Sequence, residues 1–233
     1  MSNAADLNRD GLQDVSRFEA LQVEWNELAV ATKQRQLGAW TEAMANLIAE
    51  DEAIRAAGKW TYGRTDTLGI IGRARLELNH SAMLAWLLTP TSKHHLGTRF
   101  LARFLERCRP GRAHQGLGRV QVDCEIARGD VRVDVLIRTE GLTLVIENKV
   151  DADEGVEQCD RIVRQFGSEP GAIFVFLAPT KRAPKTDTHC RFVPLSYREI
   201  RDDLEWLAPT LNKSERGTAT VYDYLETLRW EFP

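Results

Sequence analysis

Arg132-Val-Asp-Val-Leu-Ile-Arg-Thr-Glu-Gly-Leu-Thr-Leu-Val-Ile-Glu-Asn-Lys149 is the stretch that decides how the chain folds. Two runs of apolar and β-branched residues flank Glu140-Gly141, which predicts a hairpin closed by a two-residue turn. With that turn Thr139 faces Leu142, Ile137 faces Leu144, Val135 faces Ile146 and Asp134 faces Glu147. Directly opposed residues point to one side of a sheet, with Cβ atoms about 4.5–5.5 Å apart. Period-two alternation adds Arg132 and Lys149 to the side that carries the two acids. Val131, Val133, Val135 and Ile137 then share the other side with Leu144, Ile146, Asn148 and Val150. Burial of that side excludes a slip of one residue, which would carry both carboxylates into the core, whereas a longer loop could shift the pairing by two without changing faces.

The acid pair has an electrostatic consequence. Two carboxylates about 4 Å apart repel by roughly 4 kcal/mol at an effective dielectric near 20. Stability alone would not retain that arrangement, whereas a divalent cation between the acids reverses its sign. Hard oxygen ligands suit Mg²⁺ or Mn²⁺. Lys149, one pleat along, puts an ammonium beside whatever anion the ion holds, and Arg132 adds a guanidinium. Together these groups suit a phosphate ester.

Outward from the hairpin, Val120–Ile126 reads as a strand before it. The segment 153–166 reads as a helix, with Val156, Cys159, Val163 and Phe166 on one side. Ala172–Ala178 is a continuous apolar run between Pro170-Gly171 and Pro179, the pattern of a strand buried on both faces. A weaker strand at 191–195 and helices at 197–207 and 215–230 close the chain. Upstream, one helix is predicted over Thr67–Leu88, ended by Thr89-Pro90, and another over Gly97–Cys108. The order is helix, three strands, helix, strand, strand, helix.

The first sixty residues read as two helices. Phe18, Leu21, Trp25 and Leu28 form one apolar stripe; Leu37, Trp40, Met44 and Leu47 form a second, out of phase with the first, and Gly38 lies near the shift. Such stripes predict burial against the rest of the chain, each other or a second copy, so a homodimer through these helices is compatible with the pattern. The organisation predicted is a helical extension over 1–62 and an α/β domain over 63–233. Ser2-Asn3-Ala4 behind Met1 reads as an expression remnant.

Composition narrows the class further. At 43% hydrophobic and 28% charged, the 233-residue chain is neither disordered nor fibrous. No apolar run reaches the ~20 residues a membrane span requires. Four dispersed cysteines without a secretion signal predict reduced thiols and a cytoplasmic protein. Thirty-four acids against 31 bases exclude a globally basic chain and leave a local basic patch open. The stretch 99–119 holds six arginines, and Arg99, Arg103 and Arg107 repeat on one helical face, the best candidates for contacts to a phosphate backbone. His80, His94 and His95 lack zinc spacing and read as structural or phosphate-contacting residues.

Asp134 followed thirteen positions later by Glu147-Asn148-Lys149 at the end of an apolar strand resembles the PD-(D/E)XK nuclease superfamily. The resemblance is nearest to the branch whose motif reads IENK and is followed by a helix with an early glutamine, here Gln158. Glu77, His80-Ser81, Trp86-Leu87-Leu88 and His95-Leu96-Gly97 resemble that branch too, so the likeness spans about Leu76 to Ala178. It implies a restriction-endonuclease-like α/β core with a mixed central sheet flanked by helices. It also implies metal-dependent phosphodiester hydrolysis, with DNA the expected substrate. In this reading Asp134, Glu147 and the Asn148 carbonyl hold Mg²⁺ or Mn²⁺, Glu77 is a further ligand, Lys149 orients the attacking water, and Gln158 contacts that water or Lys149. Glu125 either joins this site or pairs with Arg132. The chain departs from the superfamily pattern at Val133, where proline is common, and at Ile162, where the glutamine helix has tyrosine. Two alternatives stay open: a non-catalytic module of this fold that binds nucleic acid or protein, and a metal-dependent hydrolase of a small phosphate ester, which an enclosed pocket would favour.

Overall fold

The structure is a computed structural model that describes residues 4–59, 63–111 and 117–233, without side chains for 4–14 and 16. Arg112 and residues 1–3 lie outside the described residues. The chain divides into two compact units, Met1–Gly63 and Arg64–Pro233.

The first unit is one 53-residue helix, α1 (Ala4–Ala56), rather than the predicted two. No proline interrupts this part of the sequence, and a lone glycine such as Gly38 costs a helix only ~1 kcal/mol without ending it. Gly58, at φ +64°, does end it: Lys59 N–H bonds the Ile54 carbonyl and Gly58 N–H the Arg55 carbonyl, a Schellman closure. Within the single chain the two stripes are exposed along α1, with Trp25 and Trp40 each 74% accessible.

The second unit opens with α2 (Thr67–Ile70) and α3 (Glu77–Leu88), then α4 (Arg99–Cys108). The expected single helix over Thr67–Leu88 is broken because Gly72 turns left-handed at φ +67°. The break places Glu77 in the first turn of α3, not mid-helix. There follow β1 (Gln121–Arg128), β2 (Val131–Arg138), β3 (Thr143–Asn148), α5 (Gln158–Phe166), β4 (Ile173–Ala178), β5 (Phe192–Ser196), α6 (Tyr197–Leu207) and α7 (Arg216–Glu231). α5 begins at Gln158, five residues later than predicted.

The strands form one mixed sheet in the order β1-β2-β3-β4-β5, antiparallel over the first two pairings and parallel over the last two. The hairpin register is the predicted one: Val135 pairs with Ile146, Ile137 with Leu144, and Thr139 N–H donates to the Leu142 carbonyl at 2.9 Å. One face packs side chains such as Val135, Ile137, Leu144 and Ile146 against α3, α4, α6 and α7. The other packs Leu136, Val145 and Phe176 against α5. β3 and β4 are buried along their whole length, as a strand covered on both faces must be.

The expected alternation fails at one point. Val131 and Val133 pack on the α5 side, although Val135 and Ile137 pack on the opposite side. The pairing of β1 with β2 skips Glu125 and Asp134, then resumes in the same register, so no residue is inserted. Glu125 is left-handed at φ +55°, a costly conformation for a side chain of this type. β2 therefore turns over at Asp134, and its ladder with β3 ends at Val135–Ile146. Arg132 consequently pairs with Ala127 of β1 instead of facing Lys149.

Candidate active site

The turn-over at Asp134 aims its carboxylate at β3. Oδ2 accepts the Asn148 backbone N–H at 2.6 Å, taking the place of a main-chain ladder bond. Glu147, the penultimate residue of the central strand β3, is only 1% accessible. Its Oε1 accepts from Lys149 Nζ at 2.8 Å and from Gln158 Nε2 at 2.5 Å. Gln158 is fixed in turn, because its Oε1 accepts the Gly155 N–H at 2.9 Å. Glu147 Oε2 is buried with no hydrogen-bond partner among the described residues.

These positions dictate the charge states. Burial, then the Asp134 charge, pushes the Glu147 carboxyl well above the usual carboxylate range. Burial likewise raises Asp134, against the opposing effect of the Asn148 hydrogen bond. Burial acts to lower the Lys149 pKa, but the adjoining Glu147 outweighs it and holds the ammonium charged. With both acids deprotonated one ammonium would answer two carboxylates, and the raised pKa values express that imbalance. An orphaned buried oxygen, and a second charge that the protein leaves uncompensated once the acids deprotonate, are what a divalent cation would satisfy. Among the described residues no three His, Cys, Asp or Glu side chains are already gathered as a metal cluster. The acids present a pair, to which backbone oxygens and waters must be added.

Asn148 is held by a network that the sequence did not announce. Its side chain donates to the Glu77 carbonyl and to Ser81 Oγ, both at 3.1 Å, and accepts from the Tyr197 hydroxyl at 2.6 Å. All three partners come from helices on the far side of the sheet, so the end of β3 is clamped from behind. Glu77 Oε1 accepts the backbone N–H groups of Val150 at 2.8 Å and Ala152 at 3.2 Å. It therefore fixes the chain just past Lys149. Ser81 stood within the sequence likeness; Tyr197 entered it only as the first residue of a predicted helix.

The remaining candidates divide. Arg132 is two-thirds exposed, with Nε 2.9 Å from Glu125. The arginine stripe does something other than expected. Arg103 and Arg107 both bind the buried Asp203 of α6, at 2.7 and 2.6 Å, and Arg103 lies over the Trp206 ring. Arg99 bonds Thr210 and the carbonyls of His95 and Leu96. The stripe is a clasp between α4 and α6, because Asp203 requires cationic partners once buried. Arg103→Gln is accordingly expected to lower stability by about 1 kcal/mol in urea unfolding, while leaving the salt dependence of any nucleic-acid binding unchanged. A reduced salt slope would contradict the clasp. His80, buried between the Ala74 carbonyl and Tyr224 hydroxyl, and His94, bonded to the Thr89 carbonyl and the Leu96 N–H, are structural. Ile162 is fully buried in the core under α5.

A mixed five-stranded sheet between helices, with two acids and a lysine at the end of its hairpin, defines a restriction-endonuclease-like α/β protein. Residues 65–226 match the sequence profile of the PD-(D/E)XK nuclease superfamily, and the chain belongs to that superfamily. Membership points to a nuclease-type phosphodiesterase, a class that typically uses divalent metals. No curated protein and no solved structure matches the chain. Among the described residues no helix is long and apolar enough to cross a membrane, and the four cysteines are free thiols.

Proposed function

We propose that this protein is a divalent-metal-dependent nuclease that hydrolyses phosphodiester bonds in DNA. The observation that carries the proposal is Glu147 Oε2, a buried carboxylate oxygen without a partner, beside Asp134 and Lys149. The residues that would hold Mg²⁺ or Mn²⁺ are Asp134, Glu147 and the Asn148 carbonyl, with Glu77, whose Oε1 accepts from the Val150 and Ala152 N–H groups, reaching the ion through water. What a bound ion supplies there is a water of lowered pKa and screening at the phosphoryl oxygens. Lys149, kept charged by Glu147, places an ammonium where negative charge develops on the phosphoryl group and orients the attacking water. Gln158 fixes the plane of the Glu147 carboxylate, and the Ser81–Asn148–Tyr197 network fixes the strand end that carries it.

Incubation of plasmid, linear and single-stranded DNA with the protein and Mg²⁺ tests this directly. Cleavage of at least one substrate, abolished by chelator, is expected. Saturable metal binding with every substrate left intact would instead favour the non-catalytic module, which the buried Ile162 in place of tyrosine leaves without one hydroxyl.

The exposed stripes of α1 support self-association. Exposed apolar surface of this extent is the usual mark of an interaction face, and we take the occupant to be α1 of a second copy, which would suit cleavage of both strands. Sedimentation is expected to give twice the chain mass for the wild type and the single-chain mass for the double variant Trp25→Glu, Trp40→Glu. A wild-type monomer at tens of micromolar would end this reading.

A further inference from the structure

Asn148 is gripped at both ends. Its backbone N–H donates to Asp134 Oδ2 at 2.6 Å, and its side-chain amide reaches the helices behind the sheet, where the Tyr197 hydroxyl donates to Oδ1 at 2.6 Å. We infer that Tyr197 is a positioning residue of the metal site, whose hydroxyl fixes the orientation of Asn148 and through it the affinity for the ion. The inference rests on the metal-dependent reading of Asp134 and Glu147, and adds to it a residue outside the site on which metal binding depends.

The orientation of the amide is dictated by its partners. The Glu77 carbonyl can only accept, so Nδ2 must be turned toward it, and the same nitrogen donates to Ser81 Oγ; both distances are 3.1 Å. Oδ1 is left facing Tyr197, which must therefore donate. Asn148 is fully buried, so loss of that hydroxyl would leave Oδ1 unpaired where water does not reach. Tyr197 is itself immobilised. It is the first residue of α6, directly after the capping box of Ser196 and Glu199. Its buried ring stacks on Phe232 with centroids 4.2 Å apart and planes 10° from parallel, and it tilts against His80 at 4.9 Å. Phe232 is pinned in turn, because its carbonyl accepts from Arg201 at 2.9 Å. A displaced Asn148 would disturb two groups of the site together, the Asp134 carboxylate on its N–H and its own carbonyl. Residues that orient metal ligands from behind typically alter metal affinity or activity by roughly 10–100-fold when removed.

The test is a calorimetric titration of Mn²⁺ into the wild type, Tyr197→Phe and Tyr224→Phe. Tyr224 is the matched control, a second buried tyrosine whose hydroxyl meets a buried polar group, His80 Nδ1 at 2.9 Å. Phenylalanine keeps either ring in place and deletes one hydrogen bond, so the two variants should lose similar stability. Tyr197→Phe is expected to weaken Mn²⁺ binding by about tenfold or more, and Tyr224→Phe to leave it unchanged. In cleavage assays the Mg²⁺ concentration for half-maximal rate should rise in the same proportion, while the rate at saturating Mg²⁺ falls less. Ser81→Ala releases the other end of the same amide and should shift Mn²⁺ binding in the same direction, which carries the test should Tyr197→Phe fold poorly. Wild-type affinity in the folded clamp variant, or equal weakening in Tyr224→Phe, would overturn the positioning role and leave the nuclease reading standing. A wild type that binds no Mn²⁺ would overturn the metal site itself, and the inference with it.

Discussion

Lys149→Ala is expected to slow phosphodiester cleavage by about 10²–10³-fold, the usual penalty for deleting one electrostatic partner of a developing charge. The side chain is nearly buried, 10% accessible, and its ammonium sits 2.8 Å from Glu147 Oε1. Deleting one partner of so buried a pair also costs stability, so the rate is compared on variant protein shown to be folded. Removal of the ammonium also leaves Asp134 and Glu147 without their internal cation. Attraction for a divalent ion therefore stays the same or increases, and the variant should bind Mn²⁺ at least as tightly as the wild type. Slower cleavage with undiminished metal binding is a combination that a merely structural lysine would not produce. Lys149→Arg should not restore the rate, since a planar guanidinium cannot replace a compact ammonium in so confined a place. Single-turnover rates at saturating metal decide the matter; a rate within threefold of wild type would remove Lys149 from the mechanism.

Glu147→Gln should separate stability from function with opposite signs. In the metal-free protein the raised pKa values of Asp134 and Glu147 mean that the folded state binds protons more tightly than the unfolded chain. The pair's contribution is therefore most favourable below the ordinary carboxylate range, near pH 4, and is lost as pH rises through the raised values. Metal binding runs the other way, because the ion requires both groups deprotonated. Glutamine keeps the Oε1 acceptor for Lys149 and Gln158 but removes the repulsion with Asp134. The metal-free variant should melt above the metal-free wild type at pH 8 and lose much of that advantage on acidification. At a metal concentration about 100 times Kd the wild type should gain ~2.7 kcal/mol. For a chain of this size that corresponds to roughly 5–10 °C in Tm. The variant should gain almost nothing. Equal metal-induced shifts in the two proteins would place the ion elsewhere.

Much of this site can be read from one hairpin. Apolar residues at alternate positions on both arms of Glu140-Gly141 exclude a slip of one residue, and the structure adopts the register of a two-residue turn. Asp134, Glu147, Lys149 and Gln158 come together for that reason and because α5 follows β3 closely. What the pattern cannot convey is the kink. A left-handed Glu125 on the neighbouring strand turns β2 over, and no periodicity records a backbone angle. The arginine stripe is equally silent about its partner, since Asp203 lies about a hundred residues away and becomes a counter-charge only when α4 meets α6. Helix ends suffered from the same locality: Gly72 stops α2 where the apolar spacing runs on, whereas Gly38 interrupts nothing. Tyr197 and Ser81 converge on Asn148 through tertiary packing alone.

Calorimetric titration of Mn²⁺ into the wild type and into Asp134→Asn probes the central claim without reference to any substrate. Asp134 accepts from the Asn148 N–H, and asparagine can still accept through its carbonyl oxygen, so the fold should persist while the negative charge of one ligand disappears. Saturable heat in the wild type at neutral pH, absent or at least tenfold weaker in the variant, is the predicted result. Indistinguishable isotherms would show that these facing acids do not hold the ion.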